Sequence, residues 1–337
     1  MKVLFLGEGW TGSNARSMAN AFSAAGYETR HIDTTHVGRP SRLSPGWIRL
    51  KLTGMNANQA IHAQIDQAVR DWRPDILFCF KTIYLDQARL TELPVTVKIH
   101  YSPDDASNPA NVSEDYLRHE SAWDHVVTTK THNVTELEAR GVRSAIFVPS
   151  AYDPAWHHPI AVADPDRFSV GFIGSRRPDR EQLLARLGEM YAGDLLVAGQ
   201  MSQSPSIRKS GANLGPSAFG EPFSQLVGRI RSNLILLNSD NRDMHTCRSY
   251  EIPAAGGFFV GQRTDEHSDL LVEESECLLF GTEDELVDHL NWADTHKTQV
   301  DSMRKRGYRA ILSGNNTYVD RVHMMSVQAG FSPRRVK

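Results

Sequence analysis

The sequence predicts an α/β protein made of two Rossmann-like domains facing each other across a cleft. Its 337 residues suit about two domains at roughly 150 residues each. Short apolar runs alternate with amphipathic stretches through residues 1–150, the pattern of successive parallel βα units. A second series begins with the wholly apolar-paced run Phe168–Ile173, after a stretch holding Pro154, Pro159 and Pro165 with no periodicity. The expected division is 1–153 for the first domain, 154–167 for a linker, 168–314 for the second domain and 315–337 for a C-terminal helix and tail.

Taken in order, Val3–Leu6 reads as a strand, and the turn Gly7-Glu-Gly9-Trp-Thr-Gly12 leads into a helix over about 13–25 that Gly26 ends. Glu28–Ile32 is a second strand. Residues 34–58 exceed the usual loop length and are rich in Gly, Pro, Arg and Ser, which marks an excursion. Ile61, Ile65, Ala68, Val69 and Trp72 share one face of a helix over 58–72, followed by a strand at Ile76–Phe80. Val95–Ile99 is read as a strand, 100–112 as a polar loop, 126–128 as a strand, 131–140 as a helix and 145–148 as a closing strand. In the second half, helices are expected at 179–191, 283–295, 299–312 and 318–329, and strands at 194–198 and 277–280, with 199–222 irregular.

The most informative stretch runs from 234 to 261. Leu234–Leu237 suits a strand buried on both faces. The loop from Ser239 leads to a short helix beginning near Arg248, and Ala254, Ala255, Gly256 and Gly257 let that helix turn tightly into a strand at Phe258–Val260. Pro253 restricts the helix to a short one or a kinked one. In open α/β sheets ligands bind at the carboxyl ends of strands, so Asn238, Arg248, Ser249 and Glu251 are candidates for a ligand site. A helix N-terminus and an arginine suit a diphosphate, and a carboxylate suits two neighbouring sugar hydroxyls. Gly174, Arg176 and Arg180, between the second domain's first strand and first helix, add backbone N–H groups and cations of the same kind.

The composition, 40% hydrophobic and 23% charged, is that of an ordinary globular chain. A net charge of −3 weighs against nonspecific nucleic-acid binding. Cys79, Cys247 and Cys277 are odd in number and in no metal-ligand spacing, which suits a reducing compartment and a cytoplasmic location. No run approaches the ~18 apolar residues of a membrane span, and the N-terminal apolar run is short for a signal peptide. Asp164 and Asp166 resemble a D-x-D metal motif but fall in the Pro-rich linker, and His157 and His158 lack a third ligand nearby, so no metal is assigned.

The segment Arg248-Ser-Tyr-Glu-Ile-Pro-Ala-Ala-Gly-Gly, followed by Glu276–Phe280 and Glu283–Val287, resembles the C-terminal half of bacterial group 1 glycosyltransferases of the spore-maturation CgeB-like type. Asn315-Asn-Thr-Tyr318 with Arg321 looks like that family's "HTY…R" signature with Asn for His. Tyr101–Asp105, Thr128–Lys130 and Gly171–Ser175 are similar to it as well. The resemblance implies the two-domain GT-B fold, with a C-terminal helix crossing back to the first domain. It also implies transfer of a sugar from a nucleoside-diphosphate sugar to an acceptor, with small-molecule partners, no cofactor and no metal. On this reading Glu251 holds the donor ribose, while Gly174, Arg176, Arg180, Asn238, Arg248 and Ser249 bind the rest of the donor. Gly9, Trp10, Thr11 and Gly12 shape the acceptor pocket. Asp104, Asp105 and His100 are the candidate bases, of which Asp104 and Asp105, as loop neighbours, offer at most one. Related transferases often carry a second glutamate seven residues before the ribose one; here that position is Met244, beside Asp243, which leaves inversion or retention open.

Two other functions fit parts of the chain. Gly7, Gly9 and Gly12 form G-x-G-x-x-G after a strand, with Asp33 where a ribose-binding acid would stand, as in an NAD(P)-dependent oxidoreductase. A non-catalytic sugar-nucleotide binding protein would share Arg248 and Glu251. The oligomeric state is not legible.

Overall fold

The computed structural model describes residues 1–37 and 57–332. The excursion read at 34–58 therefore lies for its greater part outside the described residues. Contacts divide the chain into two units, Met1–Pro149 with Tyr318–Lys337, and Ser150–Thr317.

In the first unit the chain runs β1 (Lys2–Gly7), α1 (Asn14–Ala24), β2 (Glu28–Asp33), α2 (Ala57–Trp72), β3 (Ile76–Phe80), α3 (Gln87–Thr91), β4 (Val97–Ser102), α4 (Glu114–His119), β5 (His125–Thr128), α5 (Thr131–Ala139) and β6 (Ala145–Phe147). The sheet is parallel throughout, in the order β2-β1-β3-β4-β5-β6. Central strands with helices on both faces must be apolar throughout, and all five residues of β3 are buried. The edge strand β2 alternates instead. Ser13 caps α1 by accepting from Arg16 N at 3.0 Å, and Ser113 caps α4 by accepting from Tyr116 N at 3.0 Å.

The second unit contains β7 (Phe168–Ile173), α6 (Pro178–Tyr191), β8 (Leu195–Ala198), α7 (Pro205–Lys209), β9 (Asn213–Gly215), α8 (Glu221–Gly228), β10 (Ile230–Ile235), α9 (Cys247–Ala254), β11 (Phe258–Gln262), α10 (Asp265–Leu270), β12 (Leu278–Phe280), α11 (Glu283–Thr295) and α12 (Lys297–Ser313). Its parallel sheet has the order β12-β11-β10-β7-β8-β9. The order reverses between β7 and β10, the point at which such sheets open a crevice at their carboxyl edge. The last helix, α13 (Tyr318–Gln328), belongs with the first unit. It packs on α1, and Arg321 Nε donates to Pro149 O at 3.0 Å.

Several elements depart from the sequence reading. The strand expected at Val95–Ile99 runs Val97–Ser102, so His100 lies inside β4 rather than at its end. The strand expected at Leu234–Leu237 starts at Ile230. Its first residues are polar, and Arg231 is buried there because Asp294 pairs with it. The stretch left irregular holds α7 and β9. Residues 154–167, expected as a linker, lie on the second unit, where Ser224 Oγ donates to Trp156 O at 2.8 Å and Arg229 pairs with Asp164 at 2.6 Å. Among the described residues no helix is long and apolar enough to cross a membrane.

Candidate functional site

At the switch point of the second sheet, β10 ends and the chain passes through Asn238 and a single 3-10 turn, Ser239–Asn241, before α9. Arg242 takes a left-handed φ of 47° there. Asp243 draws the loop back: its Oδ2 accepts from Asn238 N at 3.2 Å and its N donates to Asn238 O at 3.2 Å. Thr246 then caps α9, its Oγ1 accepting from Arg248 N at 3.1 Å while Ser249 Oγ accepts from Thr246 N at 3.1 Å. Pro253 sits in the last turn of α9, where only one internal hydrogen bond is forfeited. The exit needs glycine: a Cβ on Gly257 would stand 2.6 Å from Val227 Cγ1 and 2.8 Å from Ile252 Cγ2.

This geometry brings Arg248 and Glu251 together, one turn apart. Glu251 is 4% exposed. Its Oε2 accepts from Arg248 Nη1 at 2.5 Å, and its Oε1 lies 3.7 Å from His157 Nε2. The Arg248 guanidinium rests over Phe223 at 4.1 Å from the ring centroid, a cation–π contact that holds it over the carboxylate. His157 meets the same Phe223 edge-on at 5.6 Å. Sequence reasoning weighed His157 only as a metal ligand, and nothing in its spacing pointed to Glu251, ninety-four residues away in sequence.

Across the switch point, Arg180 is 7% exposed. Its Nε donates to Leu237 O at 3.2 Å and its Nη1 reaches Ser175 Oγ at 3.4 Å, so the side chain ties the end of β7 to the end of β10. Burial depresses its pKa, partly offset by Asp179 and Asp243. Asn238 Oδ1 is buried with no partner among the described residues. Arg176 is half exposed and pairs with Glu181 at 3.3 Å.

Two of the predicted donor residues have polar groups engaged within the chain. Ser249 is fully buried, and its Oγ accepts from Thr246 N and donates to His267 Nε2 at 2.8 Å, so it organises the helix start instead of facing a ligand. His267 Nδ1 bonds Gln262 O at 2.7 Å, and burial brings its pKa down to about 4, so the ring is neutral and Nε2 is the acceptor. The N–H of Gly174 is already used, donating to Ala198 O at 3.1 Å.

The first unit places its candidates differently. Gly9 N donates to Asp33 Oδ1 at 2.8 Å, and the same oxygen accepts from Thr35 N at 2.8 Å. Burial works upward on Asp33, but these bonds and nearby His31 carry its pKa below the usual value. A Cβ on Gly9 would meet Asp33 Cγ at 2.7 Å. The acid proposed for a cofactor ribose thus fastens the glycine turn. Trp10 is 37% exposed with its Nε1 on Glu8 at 2.9 Å, Thr11 Oγ1 accepts from Arg16 Nη1 at 2.9 Å, and Gly12 has a φ of 91°.

Asp105, 2% exposed, accepts from Ser107 N at 2.9 Å and from Asn133 Nδ2 at 2.8 Å, which are turn and loop bonds. Asp104 points elsewhere, half-buried and paired with Lys81. Lys81 itself has a left-handed φ of 53°. His100 is 1% exposed, with its ring 4.4 Å from that of Tyr116 and 5.4 Å from that of Trp123. Burial pushes its pKa down to about 3, and neither ring nitrogen has a partner among the described residues. The shift of β4 by several residues places His100, expected at a strand end, in the core. Of the three candidates, the structure leaves Asp104 as the carboxylate with access to solvent.

Cys79, Cys247 and Cys277 form no disulfide, and burial pushes Cys79 and Cys277 up to about 12. Among the described residues, Glu273, Glu285 and His289 converge closely enough to hold a cation. Arg263 bonds both carboxylates, at 2.5 and 2.7 Å, and holds Glu285 down at about 2.

Residues 176–326 match the family model described as glycosyl transferase-like. The matched segment includes Arg176, Arg180, Asn238, Arg248 and Glu251. No curated protein matches the sequence. Among solved structures, Anabaena HepE in complex with UDP-glucose is similar at a TM-score of 0.68 and 13% identity, over 98% of this chain and 99% of that one. Sucrose-phosphate synthase from Thermosynechococcus elongatus gives a TM-score of 0.66 at 12% identity, over 97% and 98%. An alpha-glucosyltransferase in complex with UDP and a 13-mer DNA gives 0.68 at 11%, over 98% and 99%. At these identities the likeness speaks for the fold, the two-domain α/β architecture of GT-B glycosyltransferases.

Proposed function

We propose that this chain, whose fold is that of GT-B glycosyltransferases, is itself a glycosyltransferase and moves a sugar from a nucleoside-diphosphate sugar to an acceptor hydroxyl without a metal ion. The donor site lies at the start of α9. The observation that carries this is Glu251: a carboxylate 4% exposed, held by Arg248 at 2.5 Å behind the switch point of the sheet, inside the family-matched segment. A buried carboxylate beside a guanidinium is costly to keep unless each is well satisfied or used. A donor nucleotide uses both, the ribose hydroxyls on Glu251 and the phosphates on Arg248, whose five N–H groups can serve Glu251 and a phosphate together.

When the glycosidic bond breaks, negative charge grows on the departing diphosphate. Arg248, the α9 N-terminus and Arg176 stabilise that charge, the work a divalent cation performs in other transferases. Arg180 fixes the two strand ends that carry these groups. Asp104 is the remaining candidate to accept the acceptor's proton, with Lys81 setting its charge. UDP is the first nucleotide to test, because the HepE and alpha-glucosyltransferase structures hold it. The CgeB-like branch is favoured by the segments from Arg248, Glu276, Glu283 and Asn315, and a cytoplasmic location by three cysteines that form no disulfide.

The test is a thermal-shift screen against UDP, GDP, ADP, dTDP, NAD and NADP, followed by turnover of the matching sugar nucleotide in EDTA. A ligand at a hundred times its Kd adds about 2.7 kcal/mol of stability. A nucleoside diphosphate is expected to stabilise the protein, and turnover is expected to survive EDTA. Stabilisation by NAD or NADP alone would return the first unit's glycine turn to redox chemistry.

A further inference from the structure

Glu251 has a second neighbour besides Arg248, and it comes from the stretch the sequence marks as a Pro-rich connection. His157 lies four residues after Asp153, whose backbone N donates to His157 Nδ1 at 3.0 Å. A nitrogen that accepts carries no proton, so in the neutral ring the hydrogen is on Nε2. That Nε2 lies 3.7 Å from Glu251 Oε1, on the opposite carboxylate oxygen from Arg248. The ring is fixed on its other side by the edge-on contact with Phe223, and its side chain is 10% exposed. The charged and titratable groups around it are Glu251, Arg248, Asp153 and His158. Burial lowers its pKa most, Glu251 and Asp153 act upward, Arg248 and His158 downward, and the outcome is a lowered value and a neutral ring.

Resting on the reading of Glu251 as the ribose acid, we infer that His157 is a positioning residue which, with Arg248, orients the Glu251 carboxylate so that it selects a donor carrying both ribose hydroxyls. An ionised carboxylate offers about four lone-pair directions. Arg248 takes one on Oε2; the His157 ring, with Nε2 3.7 Å from Oε1 and beyond direct hydrogen-bond length, borders that oxygen and limits how far the carboxylate can turn, which leaves an acceptor direction open on each oxygen. Two acceptors on one rigid carboxylate match a vicinal diol, which presents two O–H groups side by side. Without His157 the carboxylate pivots about its bond to Arg248 and accepts from one hydroxyl as readily as from two. His157 therefore acts on discrimination between ribo- and 2′-deoxyribonucleotides rather than on nucleotide binding as such.

Two conservative variants separate this role from simple packing. In His157→Asn the side-chain oxygen can still accept from Asp153 N, while the donor toward Glu251 is gone. In His157→Gln the amide NH2 can reach toward Glu251, while the acceptor for Asp153 N is lost. The experiment titrates UDP and 2′-deoxy-UDP into the wild-type protein, both His157 variants and Glu251→Gln, and reads the ratio of the two affinities. The expected result is roughly a tenfold or larger preference for UDP in the wild type, since a site built for a hydroxyl leaves polar groups unpaired when it is missing. That preference should collapse in Glu251→Gln and His157→Asn and be largely kept in His157→Gln. The reverse pattern, with Asn keeping the ratio and Gln losing stability, would make His157 a structural residue and overturn the inference alone. A ratio unchanged in Glu251→Gln would overturn the ribose reading and the inference with it.

Discussion

The two sheets of this protein share one architecture, six parallel strands with a switch point, yet their carboxyl edges hold charge in different ways. In the first unit Asp33 fastens Gly9, Asp105 closes its own loop onto Asn133, and His100 is sealed between Tyr116 and Trp123. These groups complete the fold. In the second unit Arg248, Glu251 and His157 come together at the start of α9, Arg180 ties the ends of β7 and β10, and Asn238 Oδ1 is buried without a partner among the described residues. The contrast teaches that polar residues at a strand end are not by themselves a site. What sets the second unit apart is that a buried carboxylate and a guanidinium meet there, inside the family-matched segment.

The sharpest way to break this contrast is Glu251→Gln, which keeps shape and burial but removes the charge. Hydrogen bonds to charged groups contribute about 1.5–3 kcal/mol each, so sugar-nucleotide turnover is expected to fall roughly 10- to 100-fold, measured as kcat/KM with the fold checked by circular dichroism. Arg180→Met should come next. It frees Leu237 O and Ser175 Oγ, with an expected loss of about 1–3 kcal/mol of stability, read by urea denaturation, and weaker donor binding as the two strand ends loosen. Arg180→Lys should not rescue it, because a point charge cannot hold the same fork of contacts.

Gly9→Ala tests the other side. The new Cβ meets Asp33 at 2.7 Å, and overpacking of this kind costs about 1–3 kcal/mol. Thermal stability should fall while UDP affinity stays at the wild-type level, because the turn serves the first unit's own loop. A further effect concerns acid stability. His100 titrates near 3 and His267 near 4, both below the ordinary imidazole value. Between those values and about 6.5 the unfolded chain binds more protons, so stability rises with pH there, is complete above about 6.5 and is lost as pH falls toward the folded values. His100→Leu removes one such group without breaking a bond. Its unfolding free energy, measured from pH 7 to pH 4, should decline less steeply than that of the wild type.

Much of the fold was legible because strands buried on both faces are predominantly apolar, as Ile76–Phe80 is throughout and Phe168–Ile173 is apart from Ser169. Helices announced themselves by caps and periodicity, as at Ile61–Trp72. The reading failed where polar residues enter a strand under local pairing, as Arg231 does beside Asp294, and where elements are too short for periodicity, as at Pro205–Lys209. Arg248 and Glu251 were legible because they follow a strand's carboxyl end at a helix start, in a segment that resembles a known family. His157 was not, since its approach to Glu251 depends on how residues 150–167 lie against the second unit. Ser249 looked like a ligand contact because a helix-capping hydroxyl and a phosphate-binding one have the same sequence signature.

The most direct test of the account is calorimetric titration of UDP into the wild-type protein, Glu251→Gln and Gly9→Ala. The account predicts saturable binding to the wild type, binding lost or weakened at least tenfold in Glu251→Gln, and binding unchanged in Gly9→Ala. Binding that survives Glu251→Gln but is abolished by Gly9→Ala would place the nucleotide on the first unit and contradict it.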